Sequence, residues 1–269
     1  MNKYRKFFVL PLLMPALLGC STAKMQEPKF KNVGISVDSD YFYTKLENRL
    51  TEVDSFLNAD NVKQTSNLKM TFRVQYETRY TTTKPLSYTV YNDISGKLLF
   101  DYTNLRFRLN MITKSYVKNN IKGSNLSDYG VQEGTSYKKS RLYGESLDGK
   151  TYIYDLDYKT ITDGSSNLLS SAIPSSLESI YSSFWDISPK NSKTLTYINN
   201  NKVFTINSTY SYDSSYQIDV TYQLIISNDV RMLVKETLHS TYNQQKQSTT
   251  LYMDVKAKPY KSSVNKIYF

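Results

Sequence analysis

Leu68-Lys69-Met70-Thr71-Phe72-Arg73-Val74-Gln75-Tyr76-Glu77-Thr78-Arg79-Tyr80 is the stretch whose reading decides the fold. Met70, Phe72, Val74, Tyr76 and Tyr80 alternate with Thr71, Arg73, Gln75, Glu77 and Arg79. Alternation with a period of two puts one side of a strand on a dry surface and the other in water, the pattern of an antiparallel sheet. Toward the C-terminus it returns at Leu98 to Tyr102, then at Leu105, Phe107, Leu109 and Met111 set against Arg106, Arg108 and Asn110. Asn92-Asp93 and Ser95-Gly96 carry turn chemistry and predict a break between strands. Leu147-Asp148-Gly149-Lys150 predicts a tight turn into a strand from Thr151 to Leu156. After Pro189, strands are expected over Leu195 to Ile198, Val203 to Tyr212, Tyr216 to Ile226, Val230 to Tyr242 and Thr249 to Lys258. The 25 tyrosines, with abundant threonine, suit pleated surfaces that are wet on one side.

Helical spacing interrupts this pattern twice. Between Asp40 and Ala59, Phe42, Leu46, Leu50, Val53 and Leu57 recur at steps of three and four, with Lys45, Glu47, Arg49 and Glu52 on the other side. Between Gly164 and Trp185, Leu168, Leu169, Ile173, Leu177, Ile180, Tyr181 and Phe184 do the same. There Pro174 followed by Ser175-Ser176-Leu177-Glu178 splits the segment into two short helices. Apolar stripes of helices and sheet bury each other only by stacking. The expected fold is therefore mainly β with α: a curved antiparallel sheet, an unclosed β-barrel, covered by an N-terminal helix and two central helices, one domain over residues 39–269.

Upstream, Lys3, Arg5 and Lys6 precede an apolar run from Phe7 to Leu18 and then Leu17-Leu18-Gly19-Cys20. A charged start, a short apolar stretch and small residues before a cleavage point read as an export signal, and the run is too short to span a bilayer. Leu-Leu-Gly-Cys resembles the lipobox of bacterial lipoproteins. That resemblance implies a signal peptide over 1–19, acylation of Cys20, a tether over 20–38 and membrane attachment through the lipid. Cys20 is the single cysteine, so the exported domain is held without disulfides. Removal of Lys3, Arg5 and Lys6 lowers the net charge of +10 by three and leaves a basic chain. Such a surplus suits anionic membrane surfaces or acidic partners, and equally a solvated surface. A membrane-tethered exported protein is not expected to meet nucleic acid.

The order of elements, together with Leu147-Asp148-Gly149-Lys150-Thr151-Tyr152-Ile153-Tyr154 leading into Leu168 to Trp185, resembles the LolA/LolB superfamily of lipoprotein carriers and lipid-binding lipoproteins. The resemblance runs from about Asp40 to Lys258. It implies a hydrophobic cavity for acyl chains, although no specific arginine or protruding-loop residue of that family can be matched. On the residues themselves, the candidate ligand-binding set is the apolar strand faces and the helical lid. The strands supply Phe72, Val74, Tyr76, Phe107, Leu109, Ile218, Val220, Tyr222, Leu251 and Met253, and the lid Leu169, Ile173, Leu177 and Ile180. The same residues would equally close-pack into an ordinary core.

Catalysis is not expected. His239 is the single histidine and falls in an expected strand, and the processed chain would have no free thiol. No Gly-x-Ser-x-Gly elbow or phosphate-cradling glycine loop is present. Asp155/Asp157 and Glu77/Asp101 are the carboxylate pairs available for glycosidase chemistry, and Asp155-x-Asp157 lacks the other ligands of a calcium loop. No metal or cofactor is expected. Two functions remain: a membrane-anchored lipoprotein that binds a lipid or a lipoprotein's acyl chains in an apolar cavity, and a cell-envelope lipoprotein with a filled core that binds a protein or glycan. Ser21 after the cysteine, by analogy with bacterial sorting rules, favours the outer membrane.

Overall fold

The computed structural model describes residues 25–32, 34–58, 67–82, 86–101, 103–122, 125–147, 150–164, 193–198, 202–213, 215–227, 229–242 and 245–268. In chain order the elements are β1 (Ile35–Ser36), α1 (Ser39–Asn58), β2 (Asn67–Thr81), β3 (Ser87–Asp101), β4 (Arg106–Asn119), β5 (Gly134–Leu147), β6 (Lys150–Asp155), β7 (Thr160–Gly164), β8 (Lys193–Ile198), β9 (Val203–Asp213), β10 (Tyr216–Ile226), β11 (Val230–Tyr242) and β12 (Gln245–Tyr260). A 3-10 turn at Leu126–Tyr129 precedes β5.

The strands form one 12-stranded sheet in the order β1-β8-β9-β10-β11-β12-β2-β3-β4-β5-β6-β7, antiparallel throughout and unclosed, with β1 and β7 at its edges. Two antiparallel meanders, β8 to β12 and β2 to β7, meet at the β12–β2 seam. There the register runs from Lys246 opposite Thr81 to Tyr260 opposite Asn67.

The alternating stretch from Leu68 to Tyr80 lies entirely within β2, at the middle of the sheet. Asn92-Asp93 and Ser95-Gly96 are a correction, since they lie inside β3 and make no turn. Gly96 stands opposite Phe72, and a Cβ there would come within 2.6 Å of the Phe72 ring and 2.7 Å of the Asn110 carbonyl. Gly144 of β5 is likewise opposite Phe107, whose ring lies over it. Both glycines make room for an aromatic ring across the strand pair, a packing use of glycine that composition alone does not separate from a turn.

α1 matches its expected bounds closely, and Phe42 and Leu46 are fully buried. It packs on β8 and β10, with the Phe42 ring edge-on to Phe204 at 5.7 Å between centroids. The face that carries α1 is the inner face. Its core cluster joins Phe42 and Leu46 to Leu68, Met70, Leu98, Phe107, Leu109, Leu195, Phe204, Ile206, Ile218, Val220, Leu224, Ile226, Val230, Met232, Val234, Val255 and Ala257.

The expected cover of three helices is corrected: among the described residues there is one α-helix. The two central helices, with Leu169, Ile173, Leu177 and Ile180, fall at 165–192, outside the described residues. No helix among the described residues is long and apolar enough to cross a membrane, which says nothing of crossing by strands.

Candidate functional site

The inner face divides along the strands. Toward the β2 N-terminus its rows are apolar: Met70, Leu98 and Leu109 stand side by side, and so do Phe72 and Met111 around Gly96. Two rows further the chemistry changes, and Ser208, Val220, Glu236, Leu251, Tyr76, Asn92, Ser115 and Ser136 follow one another across the strands. Thr78 and Thr249 share a hydrogen bond of 3.0 Å in the next row, and Tyr80 stacks on Tyr88 at 4.8 Å beyond it. Asn92 is 1% exposed, yet neither atom of its amide has a partner. A buried amide left unpaired is unfavourable by a few kcal/mol at most sites, about 1–3 by mutational measures.

The sequence candidates fall on this division. Phe107, Leu109, Ile218 and Val220 are buried in the cluster, and Phe72, Tyr222 and Met253 are half-buried and packed against it. Val74, Tyr76 and Leu251 are half-buried on the same face, outside the cluster. All ten share one face, as the alternation predicts. Cys20 lies outside the described residues, as do the four lid candidates.

The outer face holds what the sequence did not mark. Thr194, Asn207, Thr209, Asp219, Thr221, Lys235 and Thr237 line an open depression of about 430 Å³ across β8 to β11. Several of its polar groups are already paired. Thr209 Oγ1 donates to Asp219 at 2.7 Å and Thr221 Oγ1 to Asn207 at 2.9 Å. Lys235 Nζ pairs with Glu27 at 2.8 Å, and that hydrogen bond raises the lysine's pKa. Hydroxyls, an amide and a carboxylate in an open trough can hydrogen-bond a polar surface. The signal was present as the polar half of the alternation in β9 and β10, which resembles any solvated sheet face.

Both ends of the described chain cross this outer face. Residues of the expected tether form a strap on it. The Lys31 amide donates to Gln223 Oε1 at 2.6 Å, and Gln223 Nε2 donates back to the Lys31 carbonyl at 3.1 Å and to Thr205 at 3.0 Å. Glu27 reaches Lys235, and the Gln26 amide donates to Gln75 Oε1 at 3.1 Å. Gln75 in turn donates to the Tyr91 hydroxyl. The strap thus passes from β10 over β11 to β2. At the other end, Asn67 donates to the Ser262 carbonyl and the Val264 amide donates to Asp101 Oδ2 at 3.0 Å. Burial pushes the Asp101 carboxyl up, but hydrogen bonds from Asn104, Val264 and Thr103 outweigh it and hold the pKa below its ordinary value.

Neither carboxylate pair is a two-acid site. Asp155 accepts the amides of Asp157 and Tyr158 in a turn while Asp157 pairs with Arg141 at 2.7 Å. Glu77 pairs with Arg79, far along the sheet from Asp101. His239 is exposed in β11. Among the described residues, no group of three or more His, Cys, Asp or Glu side chains is placed to hold a metal ion.

No family model matches the chain, and no curated protein matches it. Among solved structures, the translocator domain of autotransporter NalP from Neisseria meningitidis is similar over 80% of this chain and 96% of its own, at 6% identity and a TM-score of 0.22. A likeness that slight carries no argument. The resemblance to the LolA/LolB superfamily is accordingly a correction: with no family model matching, and no three-helix cover among the described residues, it has no support beyond a turn before aromatic strands, which many β proteins share.

Proposed function

We propose that this chain is a cell-envelope lipoprotein, anchored through acylated Cys20, whose filled β sheet serves as a platform for a protein or glycan partner. One observation carries this reading: the apolar residues that a ligand cavity would need fill one another's space. Phe107 and Phe72 lie over glycines, Phe42 and Leu46 of α1 are fully buried, and Leu109, Ile218 and Val220 are buried in the same cluster. The trough on the outer face is polar and suits a hydrogen-bonding partner better than an acyl chain. An outer-membrane location belongs to this reading and rests on Ser21.

A test is Val220→Glu, at a residue 5% exposed. With a filled core the unpaired charge removes several kcal/mol and the protein loses its cooperative thermal transition. A variant that stays folded but no longer takes up fatty acid would instead establish an apolar cavity. Intact mass of the purified protein tests the anchor, with a diacylglyceryl and an amide-linked acyl group expected on Cys20.

A second reading, lipid binding, is favoured by one place. Val74, Tyr76 and Leu251 are only half-buried, and the unpaired amide of Asn92 stands beside Tyr76 in the pairing of β2 with β3. Stoichiometric acyl species in native mass spectra would favour it.

A further inference from the structure

We propose that the outer face of β3, β4 and β5 rests on anionic phospholipid headgroups of the leaflet that holds the anchor, with Lys97, Arg108, Lys114, Lys118 and Lys139 as its contacts. All five are exposed, and all five point outward by the strand registers: Lys97 on β3, Arg108, Lys114 and Lys118 on β4, Lys139 on β5. Among the described residues, none of the five has an ion-pair partner. The acids on the same face are already engaged. Asp93 takes two hydrogen bonds from Arg73, Asp101 is held by Asn104 and Val264, and Glu145 is buried against Tyr143 and Arg106. A face of the sheet therefore carries uncompensated positive charge, worth about 1 kcal/mol per basic residue at an anionic surface.

The strap says which surface meets it. Running back from Lys31 over β10 to Gln26 over β2, the chain advances toward β3 and β4. Arg73, which Gln26 also contacts, already bridges to Asp93 of β3. Cys20 lies six positions before Gln26, a reach of about 20 Å at full extension. A lipid on Cys20 would thus hold the membrane within that distance of Gln26, which lies over β2 beside Arg73 and its partner Asp93 of β3.

This inference rests on the lipoprotein reading, and its test separates the two. The mature protein is reconstituted in phosphatidylcholine vesicles with and without phosphatidylglycerol, and lysines are acylated with a water-soluble reagent and mapped by mass spectrometry. Lys97, Lys114, Lys118 and Lys139 are expected to be protected only with phosphatidylglycerol and to regain reactivity at high salt, while exposed Lys45 on α1 reacts alike in both. Labelling of the four in parallel with Lys45 under both conditions overturns the proposal. If intact mass shows no lipid on Cys20, the lipoprotein reading fails, and co-sedimentation of the purified chain with phosphatidylglycerol vesicles decides the patch alone. Salt-sensitive binding that weakens roughly fivefold for each of Lys97→Gln, Lys114→Gln and Lys139→Gln supports it. No binding overturns it.

Discussion

Tyr143 donates its hydroxyl proton to Glu145 Oε2 at 2.9 Å, and both side chains are buried. Arg106 stands 3.6 Å from the same carboxylate and Tyr154 donates to its other oxygen, so a charged group is held in the sheet by two phenols and a guanidinium. Burial, with the hydrogen bond to Glu145 behind it, pushes the Tyr143 phenol up to about 12. The unfolded chain ionises this group near its ordinary value of 10.0. A folded-state value above the unfolded one means that the fold favours the neutral phenol. The resulting stability is complete below about pH 10 and is lost as the pH climbs toward 12. Tyr143→Phe is expected to lower stability by about 1–3 kcal/mol at neutral pH, because Glu145 loses a buried donor. It also flattens the alkaline decline, and urea titrations of both proteins between pH 8 and 12 check this.

At the scale of elements, Gln223 shows how the strap is held. This fully buried side chain serves both backbone groups of Lys31 as well as Thr205, so the strap borrows a peptide-like partner from β10. Gln223→Ala leaves those groups unpaired. The expected loss is about 1–3 kcal/mol, with faster tryptic cleavage after Lys29 and Lys31, read by timed proteolysis and mass spectrometry. The strap was not legible in the sequence, since residues 25–31 have no periodicity and are held by a few long-range side-chain hydrogen bonds. The strands were legible wherever one face is dry: β9, β10 and β11 match their expected spans within a residue, because a period of two fixes register against the core. Of β3, only the end from Leu98 is legible as strand, because Asn92 and Gly96 imitate turn residues. The candidate site was legible only as a face. Periodicity tells which residues share a surface, and whether they enclose space depends on what covers them.

At the scale of the molecule, the β12–β2 seam joins residues such as Thr78 and Thr249, 171 positions apart. Every other strand pair except β1–β8 is a sequential hairpin neighbour or lies within one meander. Deleting Gln245–Phe269 removes β12 and the C-terminal segment, which uncovers β2 and β11 together and divides the core. The shortened chain is expected to lose its cooperative transition and to aggregate, as monitored by calorimetry and light scattering.

That seam also sets a schedule for folding. The β2–β7 meander is synthesised first, and the edge of β2 that faces β12 stays open until residues 245–260 follow. Folding is thus a race between the arrival of β12 and self-association through the open edge of β2. A longer exposed interval favours self-association, so the folding yield of this protein is expected to fall as its concentration rises.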